Sequence, residues 1–191
     1  MKKLISISMN LKKIEALKSL NSECLVIGLY EDKNLNEITK ILNSDSSGLI
    51  KKLLTRKALT GALKNQLYLP DMNGYKANKV FLVGLGKKNK ELNEDEFSQL
   101  SSSISKITIS SNARNVDIFL PEIKVKSKKP SWIYKILSRE LESGCYQYFF
   151  EGKKTQPKNK LKKVNFLVWQ EMRVKQKYFL LSKWDMLLAL G

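Results

Sequence analysis

Cys24-Leu25-Val26-Ile27-Gly28-Leu29-Tyr30 decides the fold. An almost unbroken apolar run of this length, bounded by polar residues, predicts a strand covered on both faces, as strands are inside α/β sheets. A second run of this kind, Lys79-Val80-Phe81-Leu82-Val83-Gly84-Leu85-Gly86, comes after Asn65-Gln66-Leu67-Tyr68-Leu69-Pro70 and the turn Asp71-Met72-Asn73-Gly74. That order predicts a hairpin pairing a moderate strand with a strong one. Further out, Leu4-Ile5-Ser6-Ile7-Ser8 alternates like a half-buried strand, and Val116-Asp117-Ile118-Phe119-Leu120-Pro121 and Lys162-Lys163-Val164-Asn165-Phe166-Leu167-Val168 supply two more. The segment from Leu11 to Leu17 is too short to establish a period and is left to a loop.

Between these strands the apolar period lengthens. Leu35, Ile38, Ile41 and Leu42, then Leu49, Ile50, Leu53 and Leu54, sit at helical spacing on either side of Ser44-Asp45-Ser46-Ser47-Gly48. Two short helices are expected, the second opened by a Ser or Asp cap. Glu91 to about Ser110 reads as a helix with Phe97, Leu100, Ile104 and Ile107 on one face and Asn93 as N-cap. Its first-turn acids Glu94, Asp95 and Glu96 suit the positive end of the helix dipole. Trp132 to about Phe150 is again helical, with Ser131 as the capping candidate. Strands alternating with helices imply an α/β domain with a mixed sheet of five or six strands flanked by helices.

Composition narrows the function. The 191 residues suit one domain rather than two. There is no histidine, which excludes Ser-His-Asp and Cys-His catalysis, imidazole zinc sites and a histidine base. Apolar residues make up 42% of the chain, enough for a core and too many for disorder. Cys24 and Cys145 show no paired spacing, as in a reducing compartment. No secretory leader or membrane-spanning run is legible, so a cytoplasmic chain is expected.

The net charge is +17, from 35 Lys plus Arg against 18 Asp plus Glu. Only Arg56, Arg114, Arg139 and Arg173 are arginines, whereas nucleic-acid readers favour the bidentate guanidinium. A solvated lysine surface, of the sort an AT-rich genome also produces, is the preferred reading. The nucleic-acid alternative rests on Lys153 to Lys163, six lysines flanked by Tyr148, Phe149 and Phe166, since stacking rings beside a cationic groove hold single strands. An exposed linker accounts for the same residues.

Three other features suggest chemistry without requiring it. Gly84-Leu85-Gly86-Lys87-Lys88 lies between a strand and a helix, where backbone amides cradle phosphate in glycine-rich loops. Position 89 is Asn rather than a third glycine, and a strand-ending turn is preferred. Glu94, Asp95 and Glu96 point in different directions from consecutive helical positions, so dipole complementarity is preferred to a metal site. Cys145, among Tyr146, Tyr148, Phe149 and Phe150, reads as buried packing rather than a nucleophile.

Taken in order, Cys24 to Lys33, Lys79 to Lys88, Val116 to Pro121 and Leu161 to Val164 resemble the amino-terminal domain of the leucyl aminopeptidase (cytosol aminopeptidase) metallopeptidases. The Cys-Leu-Val strand, with Glu23 before it, and the Val-Gly-Leu-Gly-Lys block are the most specific pieces. The resemblance covers residues 1–168. It implies a macro-domain-like α/β fold that supports assembly, typically as a homo-hexamer, in a cytoplasmic enzyme removing amino-terminal residues from peptides with two divalent metals, zinc or manganese. The metal ligands and the Asn-Thr-Asp-Ala-Glu-Gly-Arg-Leu hallmark of that family belong to a carboxy-terminal domain, and no part of the hallmark occurs here. No catalytic, cofactor-binding or metal-binding residue is therefore assigned, and the chain alone is expected to be inert.

Residues 169–191 depart from the family pattern, giving an atypical C-terminal tail. In the family this strand leads to a polar stretch and a small-residue helix; here Lys183-Trp184-Asp185-Met186-Leu187-Leu188-Ala189-Leu190 stands instead. Back-translated and begun two bases later, Trp184-Asp185-Met186 gives Gly, then Tyr or His, then Ala or Val, which restores the start of that helix. A frameshifted, truncated product is the expectation. The competing view is a docking helix, with Val174, Tyr178, Leu181, Trp184 and Leu188 on one face.

Overall fold

The computed structural model describes residues 5–31, 35–70, 72–150 and 160–169. One six-stranded sheet runs through it: β1 (Ser6–Lys12), β2 (Cys24–Leu29), β3 (Gln66–Pro70), β4 (Lys79–Gly84), β5 (Asn115–Phe119) and β6 (Lys163–Trp169), in the order β1-β6-β5-β2-β4-β3. All neighbours are parallel except β3, which returns antiparallel to β4 through the predicted hairpin. Every residue of β2 is buried, as its apolar run requires at the centre of a sheet covered on both faces.

The helices are α1 (Glu37–Asp45), α2 (Leu49–Thr55), α3 (Glu94–Ser110) and α4 (Pro130–Phe150). On one face, Phe97, Leu100 and Ile104 of α3 and Leu137 and Leu141 of α4 pack over Val26, Val116, Ile118, Val164 and Phe166. On the other, Ile38 and Leu42 of α1, Ile50 of α2 and Leu17 bury Leu25, Ile27, Leu29, Val80 and Leu82. The two-residue period of each strand thus feeds two separate cores. The expected α/β fold, with a mixed sheet flanked by helices, is the fold observed.

Three local expectations need correction. The segment left to a loop is ordered: β1 runs on through Leu11 and Lys12, held by seven residue pairs with β6, and Ile14–Ser19 is a short 3-10 helix. The second short helix has no Ser or Asp cap. It starts from Gly48 at φ 79°, a residue with no side chain to cap with, and the Asn43 side chain takes the Lys51 amide at 2.8 Å; Asp45 is the last residue of α1 rather than the residue before Leu49. Ser131 lies inside α4 rather than capping it, since Pro130 already occupies the first helical residue, where its fixed φ and missing N–H are tolerated. Asn93 does cap α3, and more fully than expected. Its side chain accepts from the Glu96 amide at 2.8 Å, and Glu96 accepts from the Asn93 amide at 2.9 Å, a reciprocal capping box.

Candidate functional site

In parallel sheets flanked by helices, ligand clefts form outside the carboxyl ends of the strands, where successive connections leave toward opposite faces. Here that point is the end of β2, between β4 and β5. The glycine-rich turn after β4 lies there, but it is filled from within. The amides of Gly84, Leu85 and Gly86 donate to Asn65, Leu29 and Gly61 carbonyls at 2.7, 2.8 and 2.9 Å. A Cβ on Gly84 would sit 1.9 Å from the Ala62 carbonyl oxygen. These glycines let one backbone approach another, and three amides that would have faced a phosphate are spent on the fold.

The larger cleft, about 540 Å³, lies beside β5, over the chain from Leu120 to Pro130 and the first turn of α4. Its apolar floor includes Leu120, Pro121 and Ile133; Glu122, Lys124 and Lys129 stand at its rim. The Leu92 amide donates to Lys124 O and the Lys126 amide to Leu92 O, both at 2.9 Å, so the α3 approach and this loop are stitched together. The Tyr30 hydroxyl donates to the Glu122 carbonyl, tying the end of β2 to the same loop. Lys128 bridges Glu94 at 2.7 Å and lies 5.1 Å from the Trp132 ring centroid, and Trp132 stacks on Phe97. Tyr134 packs edge-on against Phe166, and burial pushes its hydroxyl up to about 12. No acid–base pair with a nucleophile is assembled in the cleft.

Elsewhere the titratable groups are dispersed. Glu94 pairs with Lys128 and Glu96 with Lys90, so the first-turn acids serve the helix and its neighbours. Among the described residues no group of three or more Asp, Glu or Cys converges as a metal would need. Cys24 and Cys145 form no disulfide among the described residues, and both are buried with no exposed surface. Burial drives the Cys24 thiol up to about 12, beyond what the Ser111 hydrogen bond and Lys79 offset. Of the proposed nucleic-acid run, Lys153, Lys154 and Lys158 lie outside the described residues, as do the side chains of Tyr148 and Phe149. Phe166 is in the core at 1% exposure and is no stacking platform.

A second cleft, about 390 Å³, lies on the sheet face next to β1 and β6, over Asn10, Asn165 and Asp117. Nothing in the sequence reading pointed to it. The signal was there: Asp117 interrupts Val116-Asp117-Ile118-Phe119, and Asn165 interrupts Val164-Asn165-Phe166, at positions that pair across the sheet.

The sequence profile described as the N-terminal domain of the cytosol aminopeptidase family matches residues 26–154. A probable cytosol aminopeptidase of Pasteurella multocida is 32% identical over 145 residues, which is 75% of this chain and 29% of that protein. The cytosol aminopeptidase of Haemophilus influenzae Rd is 28% identical over 127 residues, 66% of this chain and 26% of that protein. The chain thus spans less than a third of the length of these relatives. Among solved structures, a tomato leucine aminopeptidase mutant superposes with a TM-score of 0.62 at 18% identity, over 91% of this chain and 35% of that one. A Trypanosoma brucei macrodomain in complex with ADP gives 0.58 at 13% identity, over 97% and 69%. At such identities the superpositions speak to the fold alone, a macro-domain-like α/β sheet.

Proposed function

The chain belongs to the cytosol aminopeptidase family through its N-terminal domain, and from that premise we propose that it is the non-catalytic domain of a cytoplasmic metalloaminopeptidase, a platform for assembly rather than for hydrolysis. The family's reaction removes the amino-terminal residue of a peptide, with two divalent ions that polarise the carbonyl and activate water. The described residues do not fit that pair. Their carboxylates form no cluster of three or more, and several are committed: Asp45 to Lys18 and Tyr75, Glu94 to Lys128, Glu96 to Lys90 and the Asn93 amide, Glu23 to the Arg114 amide.

The observation that carries this reading is the match of residues 26–154 to that one domain, together with a relative covered to 29% of its length. The test is direct. Incubated with a leucine chromogenic substrate and manganese, the 191-residue chain releases no more chromophore than the blank. Metal-dependent turnover would refute the proposal. The assembly role is tested by size exclusion with and without a full-length relative: co-elution supports it, and independent migration argues against it.

The tail, residues 169–191, lies outside the described residues apart from the backbone of Trp169. We propose that it is read in a shifted frame from about codon 168, on the strength of the codons for Trp184-Asp185-Met186. Sequencing the locus is the check, with an intact frame for the second domain expected immediately downstream.

A further inference from the structure

Toward the β1 edge of one sheet face, Ala16 and Ser19 of the 3-10 helix and the Leu20 and Asn21 that follow it line a cleft. The 3-10 helix, α1 and α2 cover the side chains of β2 and β4. Toward the β1 edge the same face turns polar, with Ser8 and Asn10 of β1, Asn165 of β6 and Asp117 of β5. The parallel register sets Ser8, Asn165 and Asp117 side by side in one row. Their hydrogen bonds run one way along it. Asn10 Nδ2 donates to Ser8 Oγ at 3.2 Å, and Ser8 Oγ donates to Asn165 Oδ1 at 2.7 Å. That fixes the amide, so Asn165 Nδ2 donates to Asp117 Oδ1 at 2.5 Å.

The row floors the cleft of about 390 Å³, walled by Ser19, Leu20 and Asn21, a volume in the ~300–1,000 Å³ range of small-molecule sites. Asp117 is 4% exposed and is the one charged residue among the buried residues of the described chain. A carboxylate taken out of water ordinarily keeps a cation beside it, because desolvation costs several kcal/mol that one neutral donor does not restore. Asp117 has none within ion-pair distance: the ion pairs of the described residues join Lys18 to Asp45, Lys90 to Glu96 and Lys128 to Glu94. Two exposed cations, Lys163 and Lys12, line the same cleft toward its opposite ends, one level with Ser6 and the other with Trp169. An anionic floor between cationic rims calls for a ligand carrying both signs.

We propose that this cleft binds a small zwitterion with a primary ammonium, an α-amino acid or a short peptide. The ammonium sits against the Asp117 carboxylate and neighbouring asparagine oxygens, supplying the missing cation. The ligand carboxylate is met by Lys163 or Lys12. This rests on the cleft alone, so its failure leaves the family reading untouched.

The test uses the 191-residue chain labelled with nitrogen-15 and follows the side-chain amides of Asn10, Asn21, Asn115 and Asn165 during titration. L-Leucine is expected to shift them saturably at millimolar concentration. N-Acetyl-L-leucine, which lacks the ammonium, binds at least ~tenfold more weakly, as the loss of a charge-assisted hydrogen bond requires. Leucinamide, which lacks the carboxylate, is also weakened. Asp117→Asn removes the response. Because that buried change risks the fold, the double change Lys12→Gln and Lys163→Gln, both at exposed positions, is the second variant, and it weakens binding with the melting temperature unchanged. Unmoved amides, equal responses to leucine and its N-acetyl form, or shifts with glucose 6-phosphate in place of leucine would each overturn the proposal, the last by assigning the cleft to a phosphorylated sugar.

Discussion

The Tyr75 hydroxyl donates to Asp45 Oδ2 at 2.6 Å while Lys18 reaches the other oxygen of the same carboxylate at 2.8 Å. Three segments distant in sequence, the 3-10 helix, the end of α1 and the turn before β4, close on one group. Lys18 also lies 5.9 Å from the Tyr75 ring centroid. Burial alone would raise the Asp45 carboxyl, but the hydrogen bonds from Lys18 and Tyr75 and the lysine charge outweigh it and hold the group below its ordinary value.

Asp45→Ala should therefore destabilise the domain near neutral pH by about 1–2 kcal/mol, mostly through the unpaired Tyr75 hydroxyl. Lys18 is 49% exposed, so the ion pair itself adds little, at most ~1 kcal/mol. The sign with pH is fixed by the lowered carboxyl. The unfolded chain binds the proton first, so the contribution is full above the unfolded value of about 3.9 and is lost as pH falls through the folded one. Urea melts at pH 7 and pH 3 check it: the gap between wild type and variant should be wider at the first than at the second, by the charge-dependent part alone, since a protonated carboxyl still accepts from Tyr75.

The capping box gives a local prediction. Asn93→Ala removes the acceptor for the Glu96 amide and should cost about 1 kcal/mol, while Asn93→Ser, another good cap, should recover most of it. Comparison of the three midpoints in denaturant decides this. Equal midpoints for the alanine and serine forms would show that the cap contributes nothing.

Glycines with similar spacing should respond differently to alanine. At Gly84 the new Cβ meets the Ala62 carbonyl oxygen at 1.9 Å, a backbone atom with nowhere to go. Gly84→Ala should cost about 3 kcal/mol, a fall of about 6–12 °C in melting temperature for a domain this size. Gly48 has φ +79° with open space around it, so Gly48→Ala meets only the left-handed backbone penalty, about 1 kcal/mol. Thermal melts of the two variants order them.

How legible this was depended on whether a signal was local. The apolar run at Cys24 and the hairpin turn at Asp71 to Gly74 carry their own pattern, and both strands stand where they were expected. The continuation of β1 through Leu11 and Lys12 is not local. It depends on pairing with Lys163 to Trp169 at the far end of the chain. The start of α2 lacks the expected Ser or Asp cap because Gly48 precedes Leu49 and the Lys51 amide is taken by Asn43, reaching across from α1. The polar row at Ser8, Asn165 and Asp117 was missed for the same reason: each residue alone is an unremarked interruption, and only parallel register makes them neighbours.

The last prediction concerns Cys24, whose thiol burial lifts to about 12. A thiol held protonated while its unfolded counterpart ionises near 8.5 favours unfolding as pH rises, because the proton is released only in the unfolded chain. Stability should thus decline as pH rises above about 8.5, and Cys24→Ala should flatten that decline while lowering stability at pH 7 through the space it leaves in the core. Reactivity gives an independent reading. In native buffer at pH 8 a thiol-specific chromogenic disulfide should label Cys24 only as fast as the domain opens, and in strong urea both Cys24 and Cys145 should react at once. Rapid native labelling of Cys24 would place it at the surface and contradict the central position of β2.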